Sequence, residues 1–362
     1  MAPYRTVSSL AERPVPGLAR RHRRIYAIIG LLAALGGVIV FATMLGSVRI
    51  PFATTFRLLL DQLPGIDIAP TWQSTTETIV LSMRLPRVVL AGIVGAALSI
   101  AGATYQGLFR NPLADPYLIG VTQGAALGAV IGFSLPFQWQ GIGFGVIPML
   151  AFAGALVTVF VVYNLARVGR AIPTTTLILA GVALGALCSS IVSYLIITSG
   201  DKMHGIVFWL MGSFSLSDWS EVRFVLPYVI TGVVIILLYA RSLNVMQLDE
   251  EQAQQLGVDV EKVKRILLAA ATLITAAAVS FVGTIGFVGI IIPHTVRLIW
   301  GPDYRFLLPL SLLSGAAFLI LADLVARTAL APMEIPVGVI TAICGAPFFL
   351  YILRRKKKTV FF

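Results

Sequence analysis

The stretch "ILLAAATLITAAAVSFVGTIGFVGIII", Ile266 to Ile292, decides the fold. It is apolar throughout and longer than the roughly 20 residues that one helical crossing of a bilayer needs. Within it, "GTIGFVG" carries Gly283 and Gly286, and glycine accepts backbone conformations that other residues avoid. The run is therefore predicted to break, with one span ending near Val282 and a short one returning from Phe287 to Trp300. Eight further apolar runs stand out: Ile25–Leu45, Val88–Leu108, Tyr117–Leu135, Ile142–Ala166, Leu177–Ile197, Phe224–Ala240, Phe306–Ala326 and Val337–Leu353. If Ile266–Ile292 crossed once, the basic ends "RRHRR" (Arg20–Arg24) and "RRKKK" (Arg354–Lys358) would lie on opposite faces. Breaking it gives ten crossings with both termini cytoplasmic, where the positive-inside bias wants them.

Composition agrees. The chain is 58% hydrophobic and 12% charged, against about 25% charged in soluble domains. It reads as an all-α polytopic membrane protein: a basic tail over 1–24, a ten-span domain over 25–353 and a second basic tail over 354–362. The net charge of +11 is concentrated at the ends, which points to membrane-flanking charge and lipid rather than to nucleic acid. Ile25–Leu45 is too long for a signal-peptide core of about 7–15 residues and is read as a retained first span. Cys188 and Cys344 lie in apolar runs and are expected to be buried small residues. Gly124, Gly128 and Gly132, and also Gly181 and Gly185, recur at four-residue spacing, which lets helices approach closely in lipid.

Three stretches do not fit a plain bundle. "NVMQLDEEQAQQLGVDVEKVKR" (Asn244–Arg265) is polar. Asp249 is placed to cap a helix with Gln252 three residues on, and Gly257 to stop it after Leu256. Asp259 is placed to cap a second helix. With Ala253 and Leu256 on one side, the element is either a docking helix for a cytoplasmic partner or a solvated loop. "NPLADPYLIG" (Asn111–Gly120) is an irregular joint after the second span. "DKMHGIVFWLMGSFSLSDW" (Asp201–Trp219) is too short to cross and reads as a re-entrant or interfacial helix, with Met203 and His204 as ordinary surface residues. Arg84 and Arg87 in "SMRLPRVVLAG", with Arg327, fall on the outer face, against the usual bias. Pro86 is expected to hold Leu85 extended. Snorkelling to lipid phosphates is one reading of these arginines.

The runs "RLPRVVLAGIVGAALSIAGATYQGLFRNPLADPYLIGVTQGAALGA", "EEQAQQLGVDV", "GTIGFVGIIIPHTVRLIWGPDYRFLLP" and "LADLVARTALAPMEIPVGVITAICGAPFFLYIL" resemble, in order, the permease family of ABC importers for iron-siderophores, haem and cobalamin. The resemblance spans about Arg84 to Leu353. It implies a homodimeric permease of the bacterial cytoplasmic membrane, with two ATPase subunits below and a substrate-binding protein above. It implies that residues 249–260, with Asp249, Ala253, Leu256 and Gly257, couple to the ATPase. It implies a path along the dimer axis lined by the fifth and tenth spans and the short helix after the fifth. A cytoplasmic gate is implied at Asn111 and Leu113, with a second constriction at Thr175 and Thr176. It also implies that Arg84, Arg87 and Arg327 meet acidic side chains of the binding protein.

The chain has no G-x-x-x-x-G-K-[ST] loop; "GRAIPTTT" lacks the second glycine and the lysine. It is therefore expected not to be an enzyme and to hold no cofactor, with ATP and magnesium on the partner ATPase. The expected cargo is a bulky metal chelate, with a ferric siderophore ahead of haem and haem ahead of cobalamin. The rival reading, an ion-coupled secondary transporter, needs buried acids, and these are few.

Overall fold

The computed structural model describes residues 16–46, 48–62, 64–66, 68–136, 145–169 and 171–360. Fourteen α-helices carry the described chain: α1 (Pro16–Met44), α2 (Phe52–Asp61), α3 (Ser74–Leu108), α4 (Val121–Ser134), α5 (Val146–Ala166), α6 (Thr174–Thr198), α7 (Met203–Leu210), α8 (Trp219–Leu238), α9 (Ala240–Val245), α10 (Glu250–Gln255), α11 (Val260–Val282), α12 (Val288–Trp300), α13 (Tyr304–Thr328) and α14 (Val337–Val360). Among the described residues seven helices (α1 from Arg24, α3, α5, α6, α8, α11 and α13) have the length and apolar composition to cross a membrane, and α4, α12 and the apolar part of α14 are shorter.

The packing follows from which helices are apolar all round. From Leu85 to Leu108, α3 buries nearly every residue, as a helix without a polar face must. It packs against α13, α11, α12 and α8. These contacts are close because small residues face each other. A Cβ on Gly95 would come within 2.3 Å of Gly315 O, and one on Gly102 within 2.1 Å of Gly289 O. The glycine row of α4 serves the same end: Gly124 and Gly128 lie against Gly154 O and Leu150 O of α5. The outer helices α1, α5, α6 and α8 are mostly exposed along their apolar faces.

The predicted break is present. α11 ends at Val282, Gly283 adopts φ 74° and ψ −164°, and Phe287 turns into α12 at φ 69°. The second turning point is thus Phe287 rather than Gly286. Its ring lies on Gly345 of α14, where a Cβ would sit 2.3 Å from it. That packing holds a bulky residue in the left-handed region. The polar groups freed by the break find partners: Ser213 N–H donates to Val282 O at 2.9 Å, and Thr284 Oγ1 donates to Leu210 O.

Other boundaries shift. The second span extends back to Ser74, making one 35-residue helix. Leu85 is helical, not extended, because a π turn over Thr78–Arg84 widens the helix just before Pro86 and so accommodates a residue without an N–H. The basic tails are not separate: α1 begins at Pro16 and α14 runs to Val360. Residues 1–15 and 361–362, like 142–144 at the head of the fourth predicted span, lie outside the described residues. The Asp201–Trp219 stretch forms the end of a 3-10 turn (Gly200–Lys202), the eight-residue α7 and a loop that leads into α8 at Trp219. Cys188 is buried as expected, whereas Cys344 is exposed on α14.

Gly283 tests the break. A Cβ there would lie 2.0 Å from Trp209 O, in backbone space that costs other residues about 1–3 kcal/mol. Gly283→Ala is expected to lower the thermal unfolding midpoint of the purified protein sharply. Gly286→Ala, with only the Tyr117 ring at 3.6 Å, should unfold like wild type; equal midpoints for the two variants would refute this account.

Candidate functional site: an arginine cleft and a capped polar helix at opposite ends

α13 is 25 residues long, about 37 Å at 1.5 Å per residue. The two groups of candidate residues lie at its two ends. At its C-terminal end, Arg84, Arg87 and Arg327 line one cleft of about 550 Å³ with Ser215, Leu216 and Glu334. Arg84 is buried, and among the described residues it has no carboxylate as a hydrogen-bond partner. It donates to Thr43 O at 3.1 Å, to Met44 O at 2.9 Å and to Val48 O. Arg327 donates to Ala42 O. Two arginines therefore close the C-terminus of α1, where carbonyls lack helical partners and the helix dipole favours positive charge. Gly46 makes room, since a Cβ there would fall 2.6 Å from Arg84 Nη2.

Arg87 is organised differently. Its Nε and Nη2 donate to Asp323 at 2.8–3.1 Å, and its Nη1 donates to both oxygens of Glu334 at 2.9 and 3.1 Å. The Asp323 side chain is 2% exposed, that of Glu334 35%. Asp323 also pairs with Arg327 at 3.6 Å. Ser215 Oγ donates to Glu334 Oε2 at 2.6 Å. Burial pushes the Glu334 carboxyl up, but the Arg87 and Ser215 bonds outweigh it and hold it below the usual carboxylate value.

At the other end, α10 stops where its sequence indicates, but the expected Asp249 cap does not form. Gly257 takes φ 84°, Val258 N–H donates to Ala253 O at 3.1 Å and Gly257 N–H to Gln254 O at 2.9 Å. That pair of bonds is the Schellman termination. Asp259 caps α11 through Lys262 N–H at 3.0 Å. Ala253 is buried, whereas Leu256 at the end of the helix is 63% exposed. Asp249 starts α10 without capping it. Its carboxylate instead accepts from Arg110 at 3.1 Å, and Arg110 also donates to Leu248 O. Arg110 has φ 49° and precedes the irregular joint. There Asn111 Oδ1 accepts from Leu113 N–H, and Asp115 accepts from Tyr117 N–H. Gln247 Nε2 adds a bond to Gly107 O at 3.2 Å. The polar helix is thus fastened to the end of α3 and to the joint.

Thr175 is exposed at the head of α6, while Thr176 Oγ1 donates to Ala166 O and Pro173 O and closes the turn from α5. Phe109 and Thr174 line one small cavity, so the end of α3 lies beside the head of α6. Between the two ends, a mostly apolar cavity of about 720 Å³ is lined by Leu210 and Met211, by Thr284, Gly286 and Phe287 of the break, and by α14 from Gly338 to Pro347.

The description "FecCD transport family" matches residues 31–355. The chain belongs to that family. The cobalamin import system permease protein of Halobacterium salinarum is 52% identical over 283 residues, 78% of this chain and 75% of the relative. The hemin transport system permease protein of Yersinia pestis is 40% identical over 300 residues, 79% and 87% of the two chains. An inward-facing ABC transporter structure described as metal-chelate type superposes with a TM-score of 0.78 at 31% identity, covering 91% of this chain and 98% of that one. This FecCD permease is accordingly a multi-pass protein of the cytoplasmic membrane.

For a FecCD permease, sequence reasoning located both ends but missed the partners inside them. Asp323 and Glu334 lie 236 and 247 positions from Arg87, and no local spacing signals such pairs. Arg110 and Gln247 were likewise visible only as polar residues near a membrane edge. The cleft arginines are not three equivalent free heads: Arg84 and Arg327 are tied to α1, and Arg87 shares its guanidinium between a buried and a half-buried carboxylate.

The different burial of Ala253 and Leu256 gives a paired test. Leu256→Asp is expected to leave folding of the membrane protein unchanged and to abolish co-purification with its ATPase. Ala253→Asp places a charge in a fully buried position, at a cost of several kcal/mol, and should lower the yield of folded protein itself. Wild-type ATPase recovery with Leu256→Asp would remove α10 from the docking surface.

Proposed function

We propose that this chain is the permease subunit of a binding-protein-dependent ABC importer for a metal chelate. Two copies cross the membrane ten times each, with cytoplasmic termini, inside a lipid bilayer. Two ATPase subunits, which hold the ATP and magnesium, dock on α10, and a substrate-binding protein docks on the arginine cleft. The observation that carries this reading is the pairing, on one connected set of helices, of an exposed capped helix at one end with a cationic cleft at the other. Family membership supplies the partners. In the dimer, the exposed apolar faces of α6 and α14 meet across the axis, with α7 above, and the apolar cavity beside the break opens on the path. Asn111, Leu113, Thr175 and Thr176 form its cytoplasmic gate. ATP binding shifts the equilibrium between two conformations because it favours closed ATPase subunits.

The 52% relative is named for cobalamin and the 40% relative for hemin. We therefore place a cobalamin-like corrinoid first, ahead of haem and of ferric siderophores. Ion-coupled secondary transport is the weaker reading: of the two buried acids among the described residues, Asp323 is neutralised by Arg87 and Arg327 and Asp115 is engaged by Tyr117 N–H at the head of a helical turn, whereas a coupling acid must be free to bind its ion.

Proteoliposomes holding the permease and its ATPase decide between the readings. Uptake of cyanocobalamin is expected only with internal-facing ATP and the binding protein, with haem and a ferric siderophore as competing cargoes. Uptake driven by a sodium or proton gradient without the ATPase would overturn the proposal.

A further inference from the structure

Arg87 is the one cleft arginine with a replaceable partner. Its Nε–Nη2 edge is committed to Asp323, which is buried. Its Nη1 arm goes to Glu334, which is exposed to the cleft. Glu334 in turn accepts from Ser215 Oγ. The backbone around Glu334 is fixed independently, by Ile335 N–H to Ala326 O at 3.0 Å and Val337 N–H to Gly212 O at 2.9 Å. The side chain is thus free to leave without the loop moving. Ser215 is less secure: apart from Glu334 its side chain meets only Ser213 Oγ, and its neighbour Leu216 is 90% exposed. The Ser213–Ser217 segment directly follows the end of α7, whose Leu210 and Met211 border the apolar cavity.

We propose that Glu334 is a positioning residue that occupies the arginine cleft in place of the partner's carboxylate, and that docking works by exchange. The proposal rests on the docking reading above and adds its regulation. An acidic side chain of the binding protein takes the Nη1 arm of Arg87, and Glu334 swings to water. The exchange replaces one carboxylate by another, so the charge-assisted bonds of Arg87 are kept. Glu334 no longer accepts from Ser215, and the Ser213–Ser217 loop after α7 loses that side-chain tie while the backbone bonds of Ser213 and Gly212 hold the end of α7 in place. Docking and release of this loop thus become one event. Three arginines facing two carboxylates leave the cleft with one net positive charge, and neutralising Glu334 raises it to two. Charge of that kind acts on association rate and is screened by salt.

The test uses the complete permease–ATPase complex in nanodiscs and its binding protein, with association kinetics across a salt series and ATP hydrolysis with and without the binding protein. Glu334→Gln is expected to speed association severalfold at low salt and to steepen its salt dependence. It should also raise hydrolysis without the binding protein at least twofold and shrink the further stimulation. Ser215→Ala, which cuts the tie and leaves the charge alone, is expected to raise unstimulated hydrolysis without changing association. Wild-type association and salt dependence in a well-folded Glu334→Gln complex would overturn the exchange, as would wild-type hydrolysis in Ser215→Ala. If wild-type association itself ignores salt, it is the docking reading that fails.

Discussion

A backbone that leaves the helix inside a membrane must have its N–H and C=O groups satisfied by protein. Here that constraint acts at the break after Val282, and much of the surrounding architecture answers it. Three chain segments converge there: the end of α7, the break itself and the start of α14. They approach so closely that a Cβ on Gly283 would fall 2.0 Å from Trp209 O, and one on Gly338 would fall 2.2 Å from Met211 O. The bonds from Ser213, Thr284 and Val337 then tie the three together. The same junction fixes Phe287 against α14 and leaves the apolar cavity beside it. The place where the helix is broken is thus also the place where a path has room.

Charge is handled by the same economy. A guanidinium taken out of water must find several acceptors, since an unpaired buried charge is far more costly than a paired one. Arg84 finds carbonyls left free by the end of α1, and Arg87 finds Asp323 from α13. The arginines therefore hold α1, α3 and α13 together at one end as well as making that end cationic. At the other end Asp303 performs the matching task between α12 and α13. It accepts from Arg24, Asn244 and Arg305. Burial raises its carboxyl, but the bonds from Arg305 and Asn244 outweigh that and hold it at about 2. α1 is thereby pinned at both ends although its apolar length is exposed.

The polar helix α10 is connected rather than suspended. Arg110 and Gln247 join it to the irregular joint and to the last turn of α3, and Lys264 joins Glu250 to Glu261 at the head of α11. Short, specific links therefore join α10 and its flanks to α3 and α11. The Arg110–Asp249 pair is exposed and worth only about 0.2–1 kcal/mol, so its value is directional rather than stabilising.

The sequence by itself determined the all-α membrane class, the break near Val282, the Schellman stop at Gly257 and the cap at Asp259. Each is local: an apolar run, a glycine that must turn, or an acceptor a few residues from the N–H it serves. It also marked the arginine positions as out of place, because charge bias is read along the chain. What those arginines touch was decided only by the tertiary structure, since Asp323, Glu334 and the end of α1 reach them from remote positions. The helical Leu85 before Pro86, the left-handed Phe287 and the Arg110 link belong to the same class. In each, packing against a distant segment overrides the preference of the residue and its neighbours, and no period or spacing in one chain records which distant segment that is.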